Sequence, residues 1–143
     1  MPQAYEKLVA WQRADDLCIR IHKLTRDSLP REERFELSSQ LRRAAYSVAA
    51  NIVEGSSRRP TADYCRFLQI AHGSAREVAY LLSVARRLKF LRQKETEALE
   101  ERYDVLQRML QALIDGLEAA EAAGEESSAK PRVARQRPAR NRN

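Results

Sequence analysis

At 143 residues the chain has room for one domain with a real core but not for two, and its 43% hydrophobic content is that of an ordinary soluble protein. No apolar run approaches the roughly 18 residues a transmembrane helix needs, and Met1 to Glu6 lacks the parts of an export signal, so the two cysteines read as free thiols of a reducing cytoplasm. The net charge is +6, and only 4 Gly and 5 Pro among abundant Ala, Leu, Glu and Arg point to helices.

The first predicted helix runs from about Tyr5 to Ser28. Trp11, Ala14, Cys18, Ile21 and Thr25 share one face, widened by Leu17 and Leu24. Leu29-Pro30 breaks it, because the residue before a proline avoids the helical region. Pro30 then suits a first-turn position of the second helix, with Glu32 and Glu33 complementing its dipole. That helix spans about Arg31 to Val53, with an irregular first turn before Leu37. Its apolar face is Leu37, Leu41, Ala45, Val48 and Ile52. Beside it runs a second stripe: Gln40, Ala44, Ser47, Asn51 and Glu54. A solvated face normally carries Lys and Glu, so small and amide residues at this spacing mark a partner surface: a helix, a subunit or a ligand.

Gly55 suits a left-handed C-terminal cap, followed by a Ser56 to Pro60 loop and Thr61 as N-cap with Asp63 in the first turn. The third helix extends to about Leu88, burying Tyr64, Phe67, Leu68, Ala71, Ala75, Val78, Leu82 and Ala85. Lys89 to Lys94 is a short basic connection. The fourth helix, about Glu95 to Ala122, repeats Leu99, Tyr103, Leu106, Leu110, Leu113, Leu117 and Ala120 in a 4-3 alternation that predicts coiled-coil-like packing. Gly124 ends it. Glu125 to Asn143 has no apolar periodicity and six basic residues, and reads as disordered. Four amphipathic helices with short connections make an all-α, antiparallel up-down-up-down four-helix bundle over residues 1–124, with a basic tail over 125–143.

Several motifs carry a resemblance. Leu8-Val9-Ala10-Trp11-Gln12 opens the chain. Gln40-x-Arg42-Arg43-Ala44 leads to Ser47, Asn51-Ile52-Val53-Glu54-Gly55 and Arg58-Arg59. Phe67-Leu68, Ala71-x-Gly73-Ser74 and Glu77 mark the third helix. Over about residues 5–120 the chain resembles the four-helix-bundle proteins encoded within intervening sequences of bacterial 23S ribosomal RNA genes. The resemblance implies an antiparallel bundle that assembles into closed rings, often pentamers; it implies no established biochemical role. A more distant similarity reaches the basic bundle accessory proteins of diversity-generating retroelements, which work with a reverse transcriptase and nucleic acid. The chain departs from the family pattern at Ala49, where Pro is frequent, and at Glu36 and Lys89, where Gly is frequent. A straighter second helix and altered turns are the expected consequences. The basic tail lies outside the pattern.

Chemistry of the enzymatic kind finds little support. Cys18 with His22 and Cys65 with His72 have helical spacing, but Cys18 faces the core while Cys65 and His72 fall far from the apolar face of the third helix, so no zinc site converges. Di-iron bundles need Glu three residues before His; Ile19 and Gln69 stand there instead. Gly55, Gly73, Gly116 and Gly124 are isolated and form no phosphate loop. The sequence therefore predicts no enzyme, no metal and no cofactor.

Charge is the stronger signal. Residues 42–94 hold eleven basic and three acidic side chains, and nine of the eleven are Arg, which pairs phosphate bidentately. Residues 95–124 hold two basic and eight acidic ones. The first reading is an oligomeric module binding nucleic acid, RNA above all, through Arg42, Arg43, Arg58, Arg59, Arg66, Arg76 and Arg87, with Tyr80 stacking on a base. The second is an assembly module with no nucleic-acid role, in which opposite charges build a homo-oligomeric ring and dock a protein partner. Under either, Gln40, Ser47, Asn51 and Glu54, with Ser74 and Glu77, form a polar network or a subunit interface. Gly73, a costly residue inside a helix, marks close approach of a neighbouring subunit or of a phosphate backbone.

Overall fold

A computed structural model describes residues 3–29, 32 and 35–129, the side chains of 126–129 excepted. A 3-10 turn, Ala4–Lys7, precedes four helices: α1 (Val9–Asp27), α2 (Leu37–Ser56), α3 (Thr61–Arg87) and α4 (Gln93–Ala129). The helices form the expected antiparallel four-helix bundle. α3 packs closely on both α2 and α4, and α1 packs on α2 but touches α4 sparsely. No described helix is long and apolar enough to cross a membrane.

The apolar stripes form the core. Ala14, Ile21, Leu41, Ala45, Ile52, Leu68, Ala71, Val78, Leu82 and Leu110 are fully buried. The opening turn docks on this body through Tyr5, whose ring meets Trp11 edge-on at 4.9 Å, and through Gln12, whose Nε2 donates to the Glu6 carbonyl at 2.8 Å. Thr25 is buried and turns its hydroxyl back to the Ile21 carbonyl at 2.9 Å. Tyr103 lies at the centre, fully buried, and burial pushes its phenol far above the ordinary range.

The structure corrects several expectations. Gly55 is no left-handed cap; it lies inside α2, and no glycine has positive φ. A Cβ there would sit 2.8 Å from Phe67 Cβ and 3.0 Å from Tyr64 Cδ2, so close approach of α2 and α3 explains the glycine. Pro60, extended at φ −65° and ψ 128°, takes the cap position of α3, and Thr61 is already helical without capping it. A proline ring pre-sets φ for that position. Pro30 and Glu33 lie outside the described residues, and α2 starts only at Leu37.

The turn after α3 keeps the geometry that glycine would favour. Lys89 has φ 61°. Its N–H reaches the Arg86 carbonyl at 2.9 Å, and that of Phe90 reaches Ala85 at 2.9 Å. These paired bonds close a Schellman motif. Glu36, by contrast, is right-handed and needs no glycine.

α4 departs from its predicted pattern twice. Ile114 is buried and Ala120 is exposed, although the 4-3 alternation omitted the first and included the second. A straight helix drifts about 20° per heptad against a 3.5-residue repeat, so a 4-4 step through Leu106, Leu110 and Ile114 keeps the core. Gly124 does not end the helix, which continues to Ala129. A helical glycine costs about 1 kcal/mol, and the Ala and Glu around it are strong helix formers. The expected boundary at 124 therefore falls inside α4, and the tail from residue 130 onward lies outside the described residues.

Candidate nucleic-acid interface

α2 and α3 run antiparallel, and their seam uses the middle of the polar stripe. Ser47 Oγ and Ser74 Oγ are 2.8 Å apart. Asn51 Nδ2 donates to the Ser47 carbonyl at 2.8 Å and to its hydroxyl at 3.0 Å. Ala44 is buried in the same seam. Gln40, Glu54 and Glu77 are exposed, so the stripe is a half-buried network of Ser47, Asn51 and Ser74 with solvated ends. This contact fixes the helix pair's register, because each hydroxyl finds its partner only at one axial offset.

Arg58, Arg59 and Arg66 gather where α2 ends and α3 begins. Arg58 pairs with Glu54 one turn back. The guanidiniums of Arg58 and Arg66 lie 5.1 and 4.9 Å from the centre of the Phe67 ring. That ring positions two positive charges side by side, while Arg59 is exposed in the loop.

The outer face of α3 carries the other set. Arg66, Gly73, Arg76, Tyr80 and Arg87 are exposed along one arc, Tyr80 at 62%. At 1.5 Å per residue the arc from Arg66 to Arg87 is about 30 Å long. Arg87 Nε reaches back to the Ser83 carbonyl at 3.3 Å. Among the described residues none of Arg66, Arg76 and Arg87 has a carboxylate partner. A Cβ on Gly73 would meet nothing within 4 Å, so among the described residues no neighbour in the chain requires the glycine.

Arg42 and Arg43 stand apart. Arg42 turns toward α1, its Nε donating to Thr25 Oγ1 at 2.7 Å. Arg43 is exposed on the outer side of α2. The central arginine-rich region is thus three surfaces: one toward α1, one at the α2–α3 turn and one along α3.

Arg86, by contrast, is committed to the bundle. It bridges to Glu100 of α4 at 3.1 Å, and this pairing raises its pKa further. The basic-to-acidic contrast between the third and fourth helices is therefore used in part within the chain itself.

Cysteine chemistry changes little. Cys18 and Cys65 are both buried and free. Cys65 corrects the expectation that it lies off the core, since it faces α4 near Glu118 and Glu121. Burial pushes both thiols up, and the nearby carboxylates add to it. Among the described residues no three His, Cys, Asp or Glu side chains gather as a metal site.

Two residues escaped the sequence reading. Phe35 is 90% exposed and Tyr46 46% exposed, both beside Arg42 and Arg43. His22 Nδ1 lies 2.7 Å from the Tyr46 hydroxyl. The available signal at Tyr46 was an aromatic residue off the apolar stripe of α2.

A model of the family described as 23S rRNA-intervening sequence protein matches residues 6–112. A crystal structure of a protein of unknown function from the S23 ribosomal protein family of Bacteroides thetaiotaomicron is similar in fold. Its TM-score is 0.70 at 24% identity, over 74% of this chain and 98% of that one. No curated protein matches the chain.

Proposed function

Because the chain belongs to the 23S rRNA-intervening sequence protein family, we propose that it is a non-catalytic, self-associating cytoplasmic bundle that binds nucleic acid, RNA in preference. The arc of Arg66, Arg76, Tyr80 and Arg87 on α3 carries this reading: three guanidiniums without carboxylate partners among the described residues, spaced along one exposed helix face. Arg58 and Arg59 extend it at one end, and Arg43 adds charge from α2. Their guanidiniums would hold phosphates, which sets affinity and position but reads no sequence. The six basic residues after Glu126 would add local attraction without specificity.

The test is binding of a labelled single-stranded RNA to the full chain across a salt series. Affinity should fall steeply with salt. The triple variant Arg66→Glu, Arg76→Glu and Arg87→Glu should flatten the log–log slope by about 2, at roughly 0.7 per lost contact on a single strand. A wild-type chain that binds nothing at low salt overturns the reading. An unchanged slope in the variant removes α3 from it.

A second reading, assembly into a ring with no nucleic-acid role, is favoured by Gly73. Small residues without an intrasubunit reason for being small mark tight contacts between helices. Sedimentation at micromolar concentration should show several subunits under either reading, and a monomer throughout would remove self-association from both.

A further inference from the structure

We infer that the pocket at the start of α2, between Phe35 and Tyr46, stacks an unpaired nucleobase of a single strand, with Arg42 and Arg43 on the adjoining phosphates. The inference rests on the nucleic-acid reading above and gives it a second, separate site.

The pocket has a volume of about 630 Å³ and is lined by Phe35, Ser38, Ser39, Arg42, Arg43 and Tyr46. That volume is within the usual range for small-ligand sites, about 300–1,000 Å³. Among the described residues its lining combines two aromatic rings, two guanidiniums and two hydroxyls, with no carboxylate and no aliphatic side chain. A protein partner docking on an exposed Phe would be met by an apolar surround. An aromatic plate beside paired arginines is instead the chemistry of a base and its phosphates.

The parts are held in place. Tyr46 is tied to His22 of α1 by the 2.7 Å hydrogen bond, and the two rings lie 25° from parallel with centroids 6.4 Å apart. Arg42 donates from Nε to Thr25 Oγ1, which anchors the side chain, and its two terminal nitrogens make no hydrogen bond among the described residues. Ser38 is 2% exposed and lines the same pocket. α2 begins at Leu37 with no side-chain cap, so the positive end of its dipole is directed at the same place. Phe35 completes the set as a ring with nearly all of its surface in solvent.

Stacking requires a free base face, which a duplex does not offer. The pocket should therefore separate single strands from duplexes, whereas the α3 arginines respond to phosphate in either form.

The test uses the full chain and a 12-nucleotide oligoadenylate RNA carrying one 2-aminopurine, with its blunt duplex for comparison. Binding of the single strand should quench 2-aminopurine fluorescence. Phe35→Ala and Tyr46→Leu should each abolish the quench and weaken single-strand binding about tenfold, with duplex binding and the salt slope unchanged. Phe35 is too exposed for its removal to unfold the bundle, which circular dichroism would check. Tyr46→Phe keeps the ring and should retain most of the affinity. If wild type binds with a steep salt slope but Phe35→Ala is silent, the pocket is overturned and the general reading survives. If wild type binds neither form at low salt, the general reading fails first. If Phe35→Ala instead lowers the sedimenting mass, the ring is a subunit contact and the inference is overturned.

Discussion

Ser47 and Ser74 face each other hydroxyl to hydroxyl at 2.8 Å across the α2–α3 seam, with Asn51 donating into the same pair. Removing one member strands its partner in a half-buried seam. Ser74→Ala should lower stability by about 1 kcal/mol, and Asn51→Leu by about 1–2 kcal/mol, because an apolar side chain leaves Ser47 without its donor. Since the groups share one network, Ser47→Ala with Ser74→Ala should cost less than the two singles added together. Urea unfolding of the four variants measures this coupling; strict additivity would show that the hydroxyls act independently.

Two glycines of similar sequence context should answer alanine in opposite ways. At Gly55 the new Cβ meets Phe67 Cβ at 2.8 Å, within a packed helix contact. Gly55→Ala should destabilise by about 1–3 kcal/mol, the usual range for overpacking. At Gly73 nothing lies within 4 Å. Gly73→Ala should stabilise the unliganded chain by about 1 kcal/mol through helix propensity alone. If a neighbouring subunit or a phosphate backbone covers this position, the same variant should melt higher yet assemble or bind less well. Thermal melts paired with sedimentation and RNA binding separate the two effects.

Lys89 holds a left-handed conformation at the end of α3, φ 61°, without being a glycine. A Cβ in that region costs about 1 kcal/mol. Lys89→Gly should therefore raise the melting temperature by about 3–4 °C for a domain of this size. A lower melting temperature would show that the lysine side chain contributes more than its strained backbone costs.

Burial raises the acidic pKa of Cys18, Cys65, Tyr64 and Tyr103 together. The folded state thus holds these protons more tightly than the unfolded chain does. Their contribution is fully present below the ordinary thiol range, about pH 8.5, and is lost as pH climbs through and beyond it. The urea midpoint should be flat from about pH 6.5 to 8 with respect to these groups and decline steadily toward about pH 10.5. A midpoint unchanged across the alkaline range would contradict the burial of these side chains.

Helix existence and core composition were legible in the chain because they rest on local periodicity. Leu41, Val48, Ile52, Ala71, Val78 and Leu106 each repeat at a spacing that only a buried helix face explains. The polar stripe of α2 was legible for the same reason, and so was the arginine excess of the central segment. Tertiary structure decided how those signals were used. It set Ser47 against Ser74, with Asn51 donating to Ser47, while leaving Glu54 and Gln40 in solvent. It turned Arg42 toward Thr25 and left Arg43 outside, a separation by one residue that is 100° around the helix. It made Gly55 a packing contact instead of a cap and let α4 run through Gly124, since contacts between helices and the summed propensity of neighbours outweigh a single residue's preference. Phe35 and Tyr46 line one pocket beside two arginines for the same reason. Their sequence separation hides a proximity that depends on where α2 begins, and local pattern alone does not determine that point.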